Sequence, residues 1–130
     1  MRRVVFLILV TAACVVPLIF GVEEILLFEL AGGLPLGTLL AAVALMAASL
    51  IPIVLSRPGS VTRGIAVLAS AASVLWLPIG IWLSGNAALN FSNDAVDSSI
   101  FWRYTIGMVA LILTLLIWTP VASRVTRRSD

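Results

Sequence analysis

LPLGTLLAAVALMAASLIPIVL, running from Leu34 to Leu55, is twenty-two residues without a single charge. A hydrocarbon core of about 30 Å takes roughly 20 helical residues to cross, so this stretch is long enough to span a bilayer. Three more apolar stretches accompany it: Val4 to Val22, Ile65 to Leu83 and Ile100 to Thr119, and of all four only the last holds a charge, Arg103. Each run is apolar on every face. The strands of a membrane barrel instead alternate polar and apolar side chains over about ten residues. The expected fold is therefore an all-α integral membrane protein, one transmembrane domain of residues 1–130 forming a four-transmembrane-helix bundle.

Composition points the same way. The 130 residues are 62% hydrophobic and 11% charged, against roughly 25% charged in a water-soluble domain. The lipid bilayer is thus the first partner implied. A net charge of +2, spread over separated arginines, forms no basic face that can follow a phosphate backbone, which excludes nucleic acid as a partner.

The connections carry their own stop signals. Gly32, Gly33 and Pro35 make a tight reversal, with Pro35 expected in the first turn of the second helix. Ser56-Arg57-Pro58-Gly59-Ser60 reads as a turn. The polar stretch 85–99 reads as an exposed loop, with Asp97, Ser98 or Ser99 capping the fourth helix.

Orientation follows from the arginines, since basic loops are retained on the cytoplasmic side. With four spans, Arg2, Arg3, Arg57, Arg63, Arg124, Arg127 and Arg128 fall on one side and Arg103 alone on the other. Both termini are then cytoplasmic (N-in/C-in), in a multi-pass protein of the cell (plasma or inner) membrane, with the 85–99 loop external. Glu23, Glu24, Glu29, Asp94 and Asp97 segregate to the external side. Trp82, Phe101, Trp102 and Tyr104 mark the outer interface, and Trp118 the inner one.

Small residues precede Cys14 in Leu9-Val10-Thr11-Ala12-Ala13-Cys14, an arrangement similar to a lipoprotein processing site. However, Thr11 stands where an aliphatic residue is usual, and apolar residues continue past the cysteine. An uncleaved first span is the reading that keeps the charge rule intact.

Enzyme chemistry has little to work with. The chain has no histidine and a single cysteine, and it carries no phosphate loop, nucleophile elbow or metal-ligand spacing. No catalytic residue, metal site or cofactor is expected. Glu23 and Glu24 are the sole candidates for acid–base work, and their simpler role is to end the first span in the headgroup region. The middle of every span lacks an ionisable group, which argues against a proton- or sodium-coupled carrier.

The spans do offer small residues at helical spacing. Gly33, Gly37 and Ala41 recur at i, i+4 in the second helix, and Ala66 with Ser70 and Ala69 with Ser73 form two stripes in the third. Small side chains let membrane helices approach closely, and packing of the second and third helices as a hairpin is the expected use. Pro78 followed by Gly80 marks the expected kink. Arg103, a few residues inside the fourth helix, is expected to pair with Glu23 or Glu24 and fasten the outer ends of the first and fourth helices.

By exclusion, the sequence favours a small polytopic membrane protein, an accessory, assembly or structural subunit acting through helix–helix contacts with other subunits or with itself. The alternatives are a small oligomeric channel or transporter and, third, a membrane enzyme using its outer-face carboxylates.

Overall fold

A computed structural model describes residues 1–128 of the chain. Its elements in order are α1 (Arg2–Phe20), α2 (Glu23–Leu26), α3 (Leu36–Leu55), α4 (Val61–Ser84) and α5 (Ala95–Arg128). Four of these, all but α2, are long and apolar enough to cross a membrane. Each falls on one of the four predicted runs, with ends displaced by local chemistry. Helix α4 starts at Val61 because Ser60 caps it, its hydroxyl accepting from the Arg63 N–H at 3.2 Å. Helix α5 starts at Ala95, not at residue 100. Asp94 precedes it, accepting from the Asp97 N–H at 3.5 Å, so Asp97, Ser98 and Ser99 lie inside the helix they were expected to cap. Arg127 and Arg128 close α5 but their side chains, like Ser129 and Asp130, lie outside the described residues.

The helices run up and down in sequence, α1 packing along α3, α3 along α4 and α4 along α5, with α5 also reaching α3. Helix α3 is the hub. Its buried residues are mostly small, Ala42, Ala44, Ala47, Ala48 and Ser49, and lie on more than one face. Alanine on several faces lets neighbours close on α3 from different sides, and such contact is what membrane helices gain when water drives nothing together. Helix α1 packs chiefly along α3, and of its 19 residues only Cys14 is buried.

This arrangement sorts the charges. Arg2 and Arg3 lie beside Leu50 and Val54 at the end of α3, and Arg57 lies with Thr119 of α5, so these arginines share one end of the bundle. Glu23, Glu24, Glu29, Asp94 and Asp97 flank the opposite helix ends. These are called the basic and acidic ends below.

Between α1 and α3 the chain forms a compact connector that the hydrophobic pattern did not reveal. After the single turn of α2 it doubles back in a narrow hairpin, with the Leu36 N–H donating to Phe28 O at 2.9 Å and the Leu30 N–H to Leu34 O at 2.8 Å. The reversal expected at Gly32 and Gly33 is present, with φ of +81° and +74°, values that L side chains rarely adopt. Gly33 therefore belongs to the turn and not to a stripe on α3. Pro35 is the N-cap of α3, buried, with φ −64° and ψ 141°. Gly37 does make a close approach, but to this connector: a Cβ there would stand 3.2 Å from Leu26 O.

The α4–α5 pair is keyed by complementary volumes. The buried line on α4 is Ala66, Ala69, Ser73, Trp76 and Gly80, spaced three and four residues apart. On α5 the buried residues are Phe101, Met108, Ile112, Leu115 and Thr119. Gly80 meets Phe101, Trp76 meets Thr105 and Ser73 meets Met108. Each step forward on α4 is thus an equal step back on α5, an antiparallel seam of coiled-coil type. Large sits on small at every pair, and the order of sizes reverses at Trp76. The expected pair of i, i+4 stripes is replaced by this line, with Ser70 only half-buried beside it.

Helix α4 runs on through Pro78 to Ser84, and Gly80 on it is buried against Phe101. A Cβ at Gly80 would lie 2.8 Å from Phe101 Cε2 and 3.1 Å from Leu89 Cδ2, and Phe101 is only 2% exposed. Gly80→Ala should therefore destabilise by about 1–3 kcal/mol through overpacking. Gly107→Ala, where nothing lies within 4 Å, should be neutral or stabilise by up to about 1 kcal/mol from helix propensity. Unfolding in mixed detergent compares the two, and Phe101→Leu should relieve part of the Gly80→Ala loss.

Candidate functional site

A large concavity lies between α1 and α5, towards the acidic end, where α1 packs on α3 rather than along α5. It has a volume of about 600 Å³. Its floor is the small-residue face of α3, Gly37, Ala41 and Ala44, and its far wall is Trp76, Phe101 and Trp102. Val15 and Leu18 of α1 form the near wall.

The segment joining α4 to α5 supplies the roof. Gly85 ends α4 in the left-handed region, φ 74°. Asn86 then brackets four residues: its Nδ2 donates to Asn90 O at 2.9 Å and its Oδ1 accepts from the Asn90 N–H at 3.0 Å. The two bonds curl the chain so that Leu89 and Phe91 turn inward onto the core. Phe91 meets Phe101 with ring centroids 5.4 Å apart. The stretch expected as an exposed loop therefore runs from Gly85 to Asp94, and half of it is a packed cover.

Polar side chains around the cleft are few, Thr38 and Thr105 in its lining and a small set of bonded groups beside it. Trp76 Nε1 donates to Thr105 Oγ1 at 2.8 Å, and that hydroxyl donates in turn to Phe101 O at 2.9 Å. Tyr104 OH donates to Ala72 O, a second bond from α5 onto α4. Ser73 Oγ donates to Ala69 O at 2.9 Å and touches Met108 Sδ at 3.6 Å. These groups lock helices together. None is presented as a nucleophile or base to the cleft, and among the described residues no three His, Cys, Asp or Glu side chains gather as a metal site.

The charged residues singled out in the sequence sit elsewhere. Glu23 and Glu24 occupy the first turn of α2, both exposed, where the positive end of even a short helix favours acids. Arg103 is exposed between Trp102 and Tyr104. The expected pair is not formed: among the described residues no ion pair joins Arg103 to either glutamate, because α1 lies on α3 and leaves the cleft between itself and α5. Ala66 and Ser73 are in the seam, Ala41 is in the cleft floor, and Cys14 is buried on α1.

The residues that sequence reasoning missed are Trp76, Thr105 and the cover formed by Leu89 and Phe91. The spacing of Trp76 to Ser73 and Gly80 was the available signal for the first. The chain matches no protein-family model, and no curated protein or solved structure is similar to it.

Thr105→Val leaves Trp76 Nε1 without its acceptor in a site that water reaches poorly, and should cost about 1 kcal/mol. Thr105→Ser should restore most of that. Thr114→Val, which removes only an exposed bond to Ala110 O, should be silent in the same unfolding assay.

Proposed function

We propose that this chain is a multi-pass membrane protein, both ends cytoplasmic, that acts as an accessory or assembly subunit by seating an apolar partner helix in the cleft between α1 and α5. The single observation that carries the reading is that cleft of about 600 Å³. A helix is about 10 Å across with its side chains, and packed helix axes approach to 8–10 Å where the contact residues are small. The Gly37, Ala41 and Ala44 floor is the surface on which such close approach is easiest.

Two further features support the membrane part. Large apolar side chains are exposed all along α1, from Phe6 and Leu9 to Ile19 and Phe20, a surface that water disfavours and lipid accepts. Trp82 and Trp102 are exposed towards the acidic end and Trp118 towards the basic end, the positions in which tryptophan favours headgroups. The basic end, with Arg57, Arg63 and Arg124, is then cytoplasmic.

Reporters inserted between Ser56 and Arg63 or fused after Asp130 should read cytoplasmic, and one inserted between Asn86 and Asn93 should read external. A photocrosslinker at Val109, in the cleft wall, should capture a membrane subunit. Ala41→Trp should abolish that capture while leaving the reporters unchanged. A chain that purifies as a conducting homo-oligomer, with capture indifferent to Ala41→Trp, refutes the subunit reading.

A further inference from the structure

A second groove, distinct from the cleft, opens at the basic end between the start of α1 and the last turns of α3. It has a volume of about 430 Å³ and is lined by Phe6 and Leu7 of α1 and Leu50, Ile53 and Val54 of α3. Arg2 and Arg3 stand at its mouth. Apart from Arg2 and Arg3, both exposed, the lining is wholly apolar, so the groove pairs a hydrocarbon length with two positive charges borne at one end of the bundle.

Among the described residues no carboxylate lies at this end of the groove. Arg2 and Arg3 are both exposed, and the described carboxylates, Glu23, Glu24, Glu29, Asp94 and Asp97, flank helix ends on the far side of the bundle. No side chain caps the start of α1, so the first N–H groups of this 19-residue helix add partial positive charge at the same place. Guanidinium forks bind phosphate oxygens in pairs, which a zwitterionic headgroup offers less favourably than an anionic one.

We propose that this groove holds one anionic phospholipid of the surrounding leaflet, its phosphate on Arg2 and Arg3 and an acyl chain lying between Phe6 and Val54. The site rests on the membrane reading above but not on the partner-helix cleft, which lies towards the other end of the bundle. Binding there bridges α1 to α3 at the basic end, and α1, with a single buried side chain, is the helix with most to gain from such a bridge.

The test uses the purified full chain in mild detergent, offered phosphatidylglycerol or phosphatidylcholine with the same acyl chains, and reads the lipid retained by native mass spectrometry. Each arginine beside an anionic headgroup contributes on the order of a fivefold preference, so the pair should favour phosphatidylglycerol by roughly twentyfold. The double variant Arg2→Gln/Arg3→Gln should lose that preference, and Val54→Trp, which fills the groove with both arginines intact, should lose retention of the lipid itself. Arg124→Gln, which carries its charge on α5 away from the groove, should keep both. Equal retention of the two lipids, a preference that survives the double variant, or full competition by glycerol phosphate, which has no acyl chain, overturns the site alone. Release of the chain from membranes by alkaline carbonate overturns the membrane reading and the site with it.

Discussion

Phe101 lies where Gly80 has no side chain, and the acidic end of the molecule is organised around that contact. The ring touches α4 at Gly80, stands 5.5 Å from the Trp76 ring and 5.4 Å from Phe91, and so joins two helices and the cover between them. Because the seam is keyed, fixing Phe101 on Gly80 also fixes Thr105 against Trp76 and Met108 against Ser73. A slip of one turn would set large on large at Phe101 and leave the Trp76 N–H unpaired. Size complementarity thus selects the register, and the Trp76–Thr105 and Tyr104–Ala72 hydrogen bonds penalise alternatives.

The core built on this seam is small-residue packing more than hydrophobic sequestration. Ala66, Ala69 and Ser73 are buried to within 1%, and bulky apolar side chains lie mostly outside. In surroundings as apolar as the interior, large side chains would lose nothing by facing outward while small ones bring backbones together. Most bulky residues of α1 are exposed although the helix packs along α3, and a cleft is left on its α5 side.

The four long helices were legible because run length and absence of charge are one-dimensional signals. Helix ends were less so. Ser60 and Asp94 set them through caps, and caps near several Ser and Asp residues, as at Asp94 to Ser99, are ambiguous in a string. The seam was half legible: Ala66, Ala69 and Ser73 stood out as small residues, but Trp76 and Gly80 complete the line only when a large residue is allowed to face a small one. Of the Phe28 to Leu36 hairpin only the reversal at Gly32 and Gly33 was legible, since its pairing is between backbone groups and leaves no side-chain signal. The Arg103 pair failed for a reason of neighbourhood. Shared depth does not bring two helices into contact, and nothing in the string says that α1 and α5 remain apart.

Helix α5 has 34 residues and α1 has 19, which at 1.5 Å per residue is about 51 Å against about 28 Å. A bilayer of about 30 Å would match α1 nearly upright, whereas α5 would have to lean, protrude or do both. The seam ties α4 to α5, so any lean is shared by that pair, while α1 is bound to neither. Helix α3 packs on α1, α4 and α5, so in a bilayer any lean of the α4–α5 pair would reach α1 through α3.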